Sequence, residues 1–549
     1  MTLLTRKPRP HAWLLGLAIA ASVPASTTAE FRVVALSGEP TPGGAPGMTF
    51  DELFSPVMNV HGQTAFAARL SQNGVANFDG TAVYSEGTGA LAEVARSGQQ
   101  APGSPGGVTF FAVGDPRIND SGQTAFFGHH VGPGVDVTDS DYGYYIAANG
   151  SLTKAVRTGD SAPGGLSGST LEVGRDYVFN NTGELVFRAG LQADEPIPFP
   201  FNQGGVYRAM GGGLKKVAAS GDPVPGSSSG EYLRRFEEFV VSPTGVAAFV
   251  ATVDDAQDIN FGVFTESGGE IDEVVRSGEP VPSAEPGVVF EDFVHPNGRL
   301  SMDGADNVVF DSLLPGLSLD IGVYSQGSSG LRKIIRTGDP IPDADPELTL
   351  FSVNDGPVTN ESGMSLIAAG VEGPTAGPFT KDGLYLVDAQ GVTKVVRSGD
   401  PAPGGGTILA NSLFRGAGIN AAGQVAFVAA INIDDDPSAD LGAILATNLA
   451  GELVEIIREG DSIDVDPDPM IGDLRTIDSL EFAASASNTD GRGTSFSNQG
   501  HLAFLATFTD GSQAILVSDA VAVPEPGGLA AVLLGGLVCG RRGSSLGHR

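Results

Sequence analysis

The chain has 549 residues, several times the length that one compact core usually takes, so a repeating architecture or several domains is implied. Its formal charge is −34, and setting aside Arg6, Lys7, Arg9, Arg541, Arg542 and Arg549 at the ends leaves 25 basic against 65 acidic residues; a surface of that sign repels nucleic acid and anionic membrane. A single cysteine, Cys539, excludes a disulfide framework and thiol chemistry in the body, and with 41% hydrophobic residues the 78 glycines and 36 prolines read as turns rather than as disorder.

Residues 1–29 have the layout of a secretory signal. Arg6, Lys7 and Arg9 form a positive start, Ala12 to Ala21 a short apolar run, and Thr27-Thr28-Ala29 a small-residue cleavage site before Glu30. The apolar run is shorter than the ~20 residues that span a bilayer.

The body, residues 30–520, repeats. One motif, Arg-x-Gly-Asp/Glu-x-x-Pro, has its glycines at 38, 98, 159, 221, 278, 338, 399 and 460, with spacings of 57 to 62. A second, Asn/Ser-x-x-Gly followed by an apolar stretch, has glycines at 62, 122, 183, 245, 304, 363, 423 and 500. The first glycine precedes the second by 24 residues in five copies, by 26 and 25 in two, and by 40 in the last.

Each unit resolves into four short strands. In the seventh, Ser412 to Ile419, Gln424 to Ile431, Gly442 to Thr447 and Glu452 to Arg458 are runs of strand length bounded by Asn/Gly/Asp turns. Their apolar runs lack alternation, as strands covered on both faces do. The body opens with one fourth strand, within Phe31 to Glu39, and ends with three strands, Leu480 to Phe482, His501 to Phe508 and Gln513 to Ser518. Together these complete one unit, a phase that serves a closed ring and not a linear array. The expectation is therefore an all-β fold: a single eight-bladed β-propeller of four-stranded, roughly 60-residue repeats, closed by the N-terminal strand. A stacked β-solenoid is the alternative.

Asn59 to Phe66 (NVHGQTAF), Asn119 to Phe126 (NDSGQTAF) and Asn420 to Phe427 (NAAGQVAF) resemble the tandem NxxGxxAF repeat of bacterial surface proteins with interchangeable C-terminal anchors. Ser242, Ser301 and Ser497 depart from it, and the fifth copy has two extra residues before Phe310. Residues 521–549 resemble a PEP-CTERM sorting signal: Pro524, Glu525 and Pro526, then the apolar run Gly527 to Gly540, then Arg541 and Arg542. That resemblance implies export through the inner membrane and periplasm of a Gram-negative bacterium, transient membrane anchoring by the tail, cleavage by an exosortase, and a final place at the cell surface or outside. The export machinery and exosortase are then partners.

The motifs themselves suit structural work. Arg at a strand end can bind a carboxylate and tie a turn to the next blade. The motif Gly supplies a turn conformation other residues resist, and the Asn caps its turn. Gly226-Ser227-Ser228-Ser229-Gly230 matches a nucleophile-elbow pattern but lacks the following helix that the chemistry needs. His129 and His130 open an irregular loop with Asp136, Asp139 and Asp141 whose donors suit a transition metal. Asp434 and Asp436, and the alternating Asp464, Asp466 and Asp468, are candidate calcium ligands, although Pro469 and Arg475 break the EF-hand pattern.

No convergent catalytic constellation stands out. The expected function is non-enzymatic binding or structural, on extracellular polysaccharide or another surface protein. The alternative is a glycan-acting hydrolase or lyase with acids meeting at the channel. The closing blade, with its 16-residue excess over the 24-residue spacing, is the first place to look.

Overall fold

The computed structural model describes residues 31–73, 75–135, 141–165, 168–192, 204–227, 230–254, 259–293, 299–315, 320–341, 348–373, 381–409, 416–433, 440–466, 472–482 and 490–523. The signal segment, residues 524–549 of the sorting tail, Asp136, Asp139, Ser228 and Ser229 lie outside them. Among the described residues every regular element is a strand.

Eight antiparallel sheets, built of strands that follow one another in sequence except for the N-terminal strand, make an eight-bladed β-propeller. Blade 2 is representative: Thr109–Ile118, Thr124–Val131, Tyr142–Ala148 and Ser151–Arg157, from the first strand to the outermost. The second strands are covered on both faces, as their unalternating sequences predict; all eight residues of Ala247–Asp254 in blade 4 are buried. The fourth strands alternate, as in Glu270–Arg276, because one face meets water. The core lies between blades: Ala426 and Ile444 of blade 7 pack in one cluster with Phe504 and Leu516 of blade 8.

Closure follows the expected phase. Phe31–Leu36 pairs antiparallel with Gln513–Ser518, from Phe31 opposite Ser518 to Leu36 opposite Ala514. It becomes the fourth strand of blade 8, outside Leu502–Phe508 and Leu474–Glu481. Phe31 meets Phe504 edge-on at 5.9 Å.

The two motifs fasten blade to blade, by means other than the arginines. All eight glycines of the first motif have φ of 83–91°. That conformation turns each N–H onto the first strand of the next blade: Gly98 donates to the Phe110 carbonyl at 2.8 Å, and the other seven copies repeat the bond at 2.8–2.9 Å. A side chain at these positions would be strained. The arginines act within a blade instead, Arg336 on Asp320 at 2.6 Å and Arg276 on Glu231 at 2.9 Å.

The second motif builds a belt. Asn119 Oδ1 accepts the Gln123 N–H at 2.9 Å, which caps its own turn. Its Nδ2 donates to the Asn180 carbonyl one blade on, at 3.3 Å. The same link runs from Asn59 to Asn119, Asn180 to Ser242, Asn360 to Asn420 and Asn420 to Ser497. A side-chain amide both accepts and donates, so one residue can cap a turn and bridge to its neighbour.

The fifth copy corrects the sequence reading. Asp303, not Ser301, takes the capping place, accepting the N–H groups of Ala305 and Asn307, both at 2.9 Å. The position of the motif glycine is held by Asp306, at φ 63°, and Gly304 is not that glycine. The two apparent extra residues before Phe310 vanish in this register. Asp tolerates the left-handed conformation better than most residues, which is how a copy without glycine at the turn folds. The Asp306 carboxylate also receives the Thr244 hydroxyl of blade 4 at 2.7 Å, a substitute for the missing amide link.

Removing residues 31–36 leaves blade 8 with an open edge; the thermal midpoint is expected to fall by roughly 10 °C or more in a calorimetric scan. Asn119→Ala removes the turn cap and the bridge together and should cost about 2–4 kcal/mol in a denaturant titration.

Candidate functional site

The first strands of a propeller surround its channel, and here those of blades 2 to 5 carry charge where neighbouring positions are apolar. Arg117 lies on Thr109–Ile118, Arg175 and Asp176 on Thr170–Phe179, Glu237 and Glu238 on Tyr232–Val241, and Arg299 directly before Leu300–Met302. These side chains line a cavity of about 510 Å³.

The closing blade supplies its inner wall. After the first strand of blade 8 the chain does not turn back at once. Its described part, residues 490–495, reaches the first strands of five other blades. Thr494 accepts the Met58 N–H of blade 1 at 2.7 Å, and Gly491 accepts the Phe179 N–H of blade 3 at 2.6 Å. Asp490 accepts the Val241 N–H of blade 4 at 3.2 Å. Arg492 donates to the Leu300 carbonyl of blade 5 at 2.8 Å and pairs with Glu238 at 2.5 Å. Gly493 packs against Val57 and Arg117; a Cβ there would stand 2.8 Å from Arg117 Cδ. Residues 490–495 thus reach from blade 1 to blade 5, and Arg492 and Gly493 wall the cavity on one side, which makes it a cup.

The floor of the cup is a half-buried charge network. Arg492 bonds Glu238 and Asp490, the latter at 3.2 Å, and Arg299 bonds Asp355 at 3.1 Å. Asp311 is buried and accepts the Arg299 N–H at 3.0 Å. Burial pushes the Glu238, Asp490 and Asp355 carboxyls upward against the pull of the arginines. Burial raises Asp311 most clearly, to about 7, with the nearby Glu238 charge adding to it and the Arg299 N–H opposing. Two guanidiniums cannot balance four ionised carboxylates in such a place, so Asp311, which meets the Arg299 backbone N–H rather than a guanidinium, holds its proton near neutrality.

The other acids of the cup are also engaged. Asp176 pairs with Arg188, and Glu237 with Arg235. Tyr177 donates to the carbonyls of Asp115 and Ala125. Arg117 and Arg175 differ. Among the described residues neither has a carboxylate partner. Arg117 leans over the Tyr177 ring at 5.4 Å, and its Nε is buried without an acceptor. Arg175 is exposed and lies over Phe127 at 5.1 Å and Tyr142 at 5.4 Å. Tyr144 holds the strand beneath it by donating to the Gly174 and Asp176 carbonyls at 3.0 and 3.2 Å.

The residues singled out in the sequence lie elsewhere. His129 and His130 are strand residues of Thr124–Val131, not the start of a loop. His130 is buried, with Nε2 2.6 Å from the Tyr145 hydroxyl and Nδ1 3.0 Å from Asp141. Burial pushes the Asp141 carboxyl up, but hydrogen bonds from His130 and Arg157 outweigh it and hold it at about 2. Asp464 and Asp466 sit on a hairpin before the first strand of blade 8, where Asp464 accepts the N–H groups of Asp466 and Asp473 at 3.2 and 2.7 Å. Asp434, Asp436 and Asp468 lie outside the described residues. Among the described residues no three His, Cys, Asp or Glu side chains are grouped to hold a metal ion. The sequence reading missed Arg117, Arg175, Glu238, Arg299 and Arg492. Their signal was charge inside predicted first strands and in the closing insertion.

Fold and site together define an eight-bladed propeller with an arginine-lined cup at its channel, walled on one side by its own closing blade. The chain belongs to a family of unknown function, DUF7453, whose model matches residues 20–160 and 142–530. No curated protein matches it. Among solved structures it is similar to an oligogalacturonate lyase in complex with manganese, at 12% identity and a TM-score of 0.35, over 78% of this chain and 98% of that one. It is also similar to a eukaryotic initiation factor, at 9% and 0.40, over 90% and 95%. A third is the α-L-arabinofuranosidase Arb93A from Fusarium graminearum, at 10% and 0.27, over 67% and 98%. At these scores the likenesses carry no functional argument.

Between pH 4 and 7 the folded chain holds a proton on Asp311 that the unfolded chain releases. Stability from this group is therefore greatest below pH 4 and is lost as pH rises through 7. Asp311→Asn should abolish that slope and stabilise the protein at pH 8 by roughly 2–4 kcal/mol, read from denaturant midpoints across pH. Arg492→Met leaves Glu238 and Asp490 without their cation and should destabilise by about 3–5 kcal/mol.

Proposed function

We propose that this protein is an exported, surface-sorted binding propeller whose ligand seats in the cup at the channel. The observation that carries the reading is the pairing state of the cup. Its carboxylates and its tyrosine hydroxyl are held by arginines or backbone, whereas two guanidiniums face the cavity without a carboxylate partner. General acid–base chemistry needs a carboxyl or hydroxyl able to reach a reacting atom; a binding cup needs donors that await a ligand. The signal-like residues 1–29 and the Pro524-Glu525-Pro526 tail support export and sorting, with extracellular polysaccharide as the ligand class and the export machinery and exosortase as partners.

The test has two parts. Mass spectrometry of the protein from its own cells should show cleavage near Ala29 and loss of the residues after Pro526, with the protein in the surface or extracellular fraction. Intact protein in the cytoplasm would sink the export reading. Incubation with extracellular polysaccharides should give retention without new reducing ends or unsaturated products; turnover would overturn the binding reading in favour of a hydrolase or lyase.

A further inference from the structure

We infer that the cup recognises an acidic glycan, with its uronate carboxylates or sulfate esters seated on Arg117 and Arg175. The inference rests on the binding reading above and names its ligand class.

The charge balance points to an anion. The cup is lined by Arg117, Arg175, Arg299 and Arg492 in a chain whose net charge is −34. Arg299 and Arg492 are spent on Asp355, Glu238 and Asp490. Arg117 and Arg175 remain: Arg117 donates one N–H to the Pro116 carbonyl at 3.3 Å, and its buried Nε has no acceptor among the described residues. A buried guanidinium N–H without an acceptor is costly. An oxyanion entering the cup would supply the acceptor, and the planar fork of a guanidinium suits a carboxylate or sulfate.

The surroundings point to a sugar carrying that anion. Arg175 lies over Phe127 and Tyr142, whose rings are 4.8 Å apart. Tyr142 continues to His129 at 5.1 Å and His129 to Phe111 at 5.2 Å, and Phe111 is 42% exposed. A strip of rings thus runs from the free guanidinium to the surface. Pyranose rings offer apolar C–H faces to such a strip and charged groups to the arginine beside it. An acidic peptide or polyphosphate offers the charge without the regular apolar face. The surrounding acidic surface repels polyanions at a distance, so binding depends on direct contact in the cup and not on long-range steering. Arg492 and Gly493 wall one side of the cup, so the glycan enters from the other.

The experiment is calorimetric titration of the full chain with oligogalacturonate, a sulfated oligosaccharide, neutral maltohexaose, polyglutamate and inorganic sulfate. One or both acidic oligosaccharides should bind, with maltohexaose, polyglutamate and inorganic sulfate weaker by roughly tenfold or more; which acidic probe binds distinguishes carboxylate from sulfate. Arg175→Gln, at an exposed position where folding is little affected, should weaken that binding by roughly tenfold. Arg117→Gln should do the same, with a melting curve to confirm its fold, while the exposed Lys215→Gln should change nothing. Equal binding of maltohexaose, insensitive to Arg175, overturns the acidic-glycan inference and leaves the binding reading standing. Binding of polyglutamate as tight as that of the sugars overturns the glycan choice. No binding of any saccharide, charged or neutral, overturns both.

Discussion

The pairing of Phe31–Leu36 with Gln513–Ser518 is the constraint on which the rest of the structure depends. Seven blades are continuous in sequence, and only the eighth is assembled from both ends of the body. Until that strand docks, the first and last blades present unpaired edges and half-covered apolar faces. Once it docks, each blade has a neighbour on both sides, and every second strand can be buried on both faces. A ring of identical fasteners then makes sense, because each copy acts at the same kind of interface.

Two such fasteners divide the work. The positive-φ glycine of the first motif aims its N–H at the next blade's first strand, and its eight bonds differ by only 0.1 Å. The Asn of the second motif turns its own hairpin and reaches one blade further with the same side chain. The fifth blade shows how much of this is chemistry rather than sequence. There Asp303 caps, Asp306 takes the left-handed turn, and the Thr244 hydroxyl makes the inter-blade contact. The geometry survives with neither the consensus Asn nor the consensus Gly in place.

The closing blade joins fold and site. Its insertion leaves the ring wall and reaches blades 1, 3 and 4 through backbone bonds, blade 5 through the Arg492 side chain and blade 2 through packing against Arg117. Arg492 rides on that insertion and neutralises carboxylates that would otherwise repel one another at the floor of the cup. With those acids engaged, Arg117 and Arg175 are left to face outward. The cup's positive character is therefore a local result of which charges are paired, set inside a molecule whose overall charge is strongly negative.

The sequence by itself determined the number of blades, the four-strand unit and the closing strand, because each rests on local periodicity and on spacing that survives divergence. It also marked the closing insertion as irregular. It misplaced the fifth turn by two residues, since a glycine at 304 is the obvious candidate while an Asp in a left-handed turn leaves no trace in composition. It drew attention to His130 and to Asp464, which the fold commits to a buried bond network and to backbone N–H groups. Only the tertiary structure decided the site. Arg117, Arg175, Glu238, Arg299 and Arg492 are up to 375 residues apart, and they meet only because ring closure turns the first strands of separate blades, and one long loop, toward a common axis.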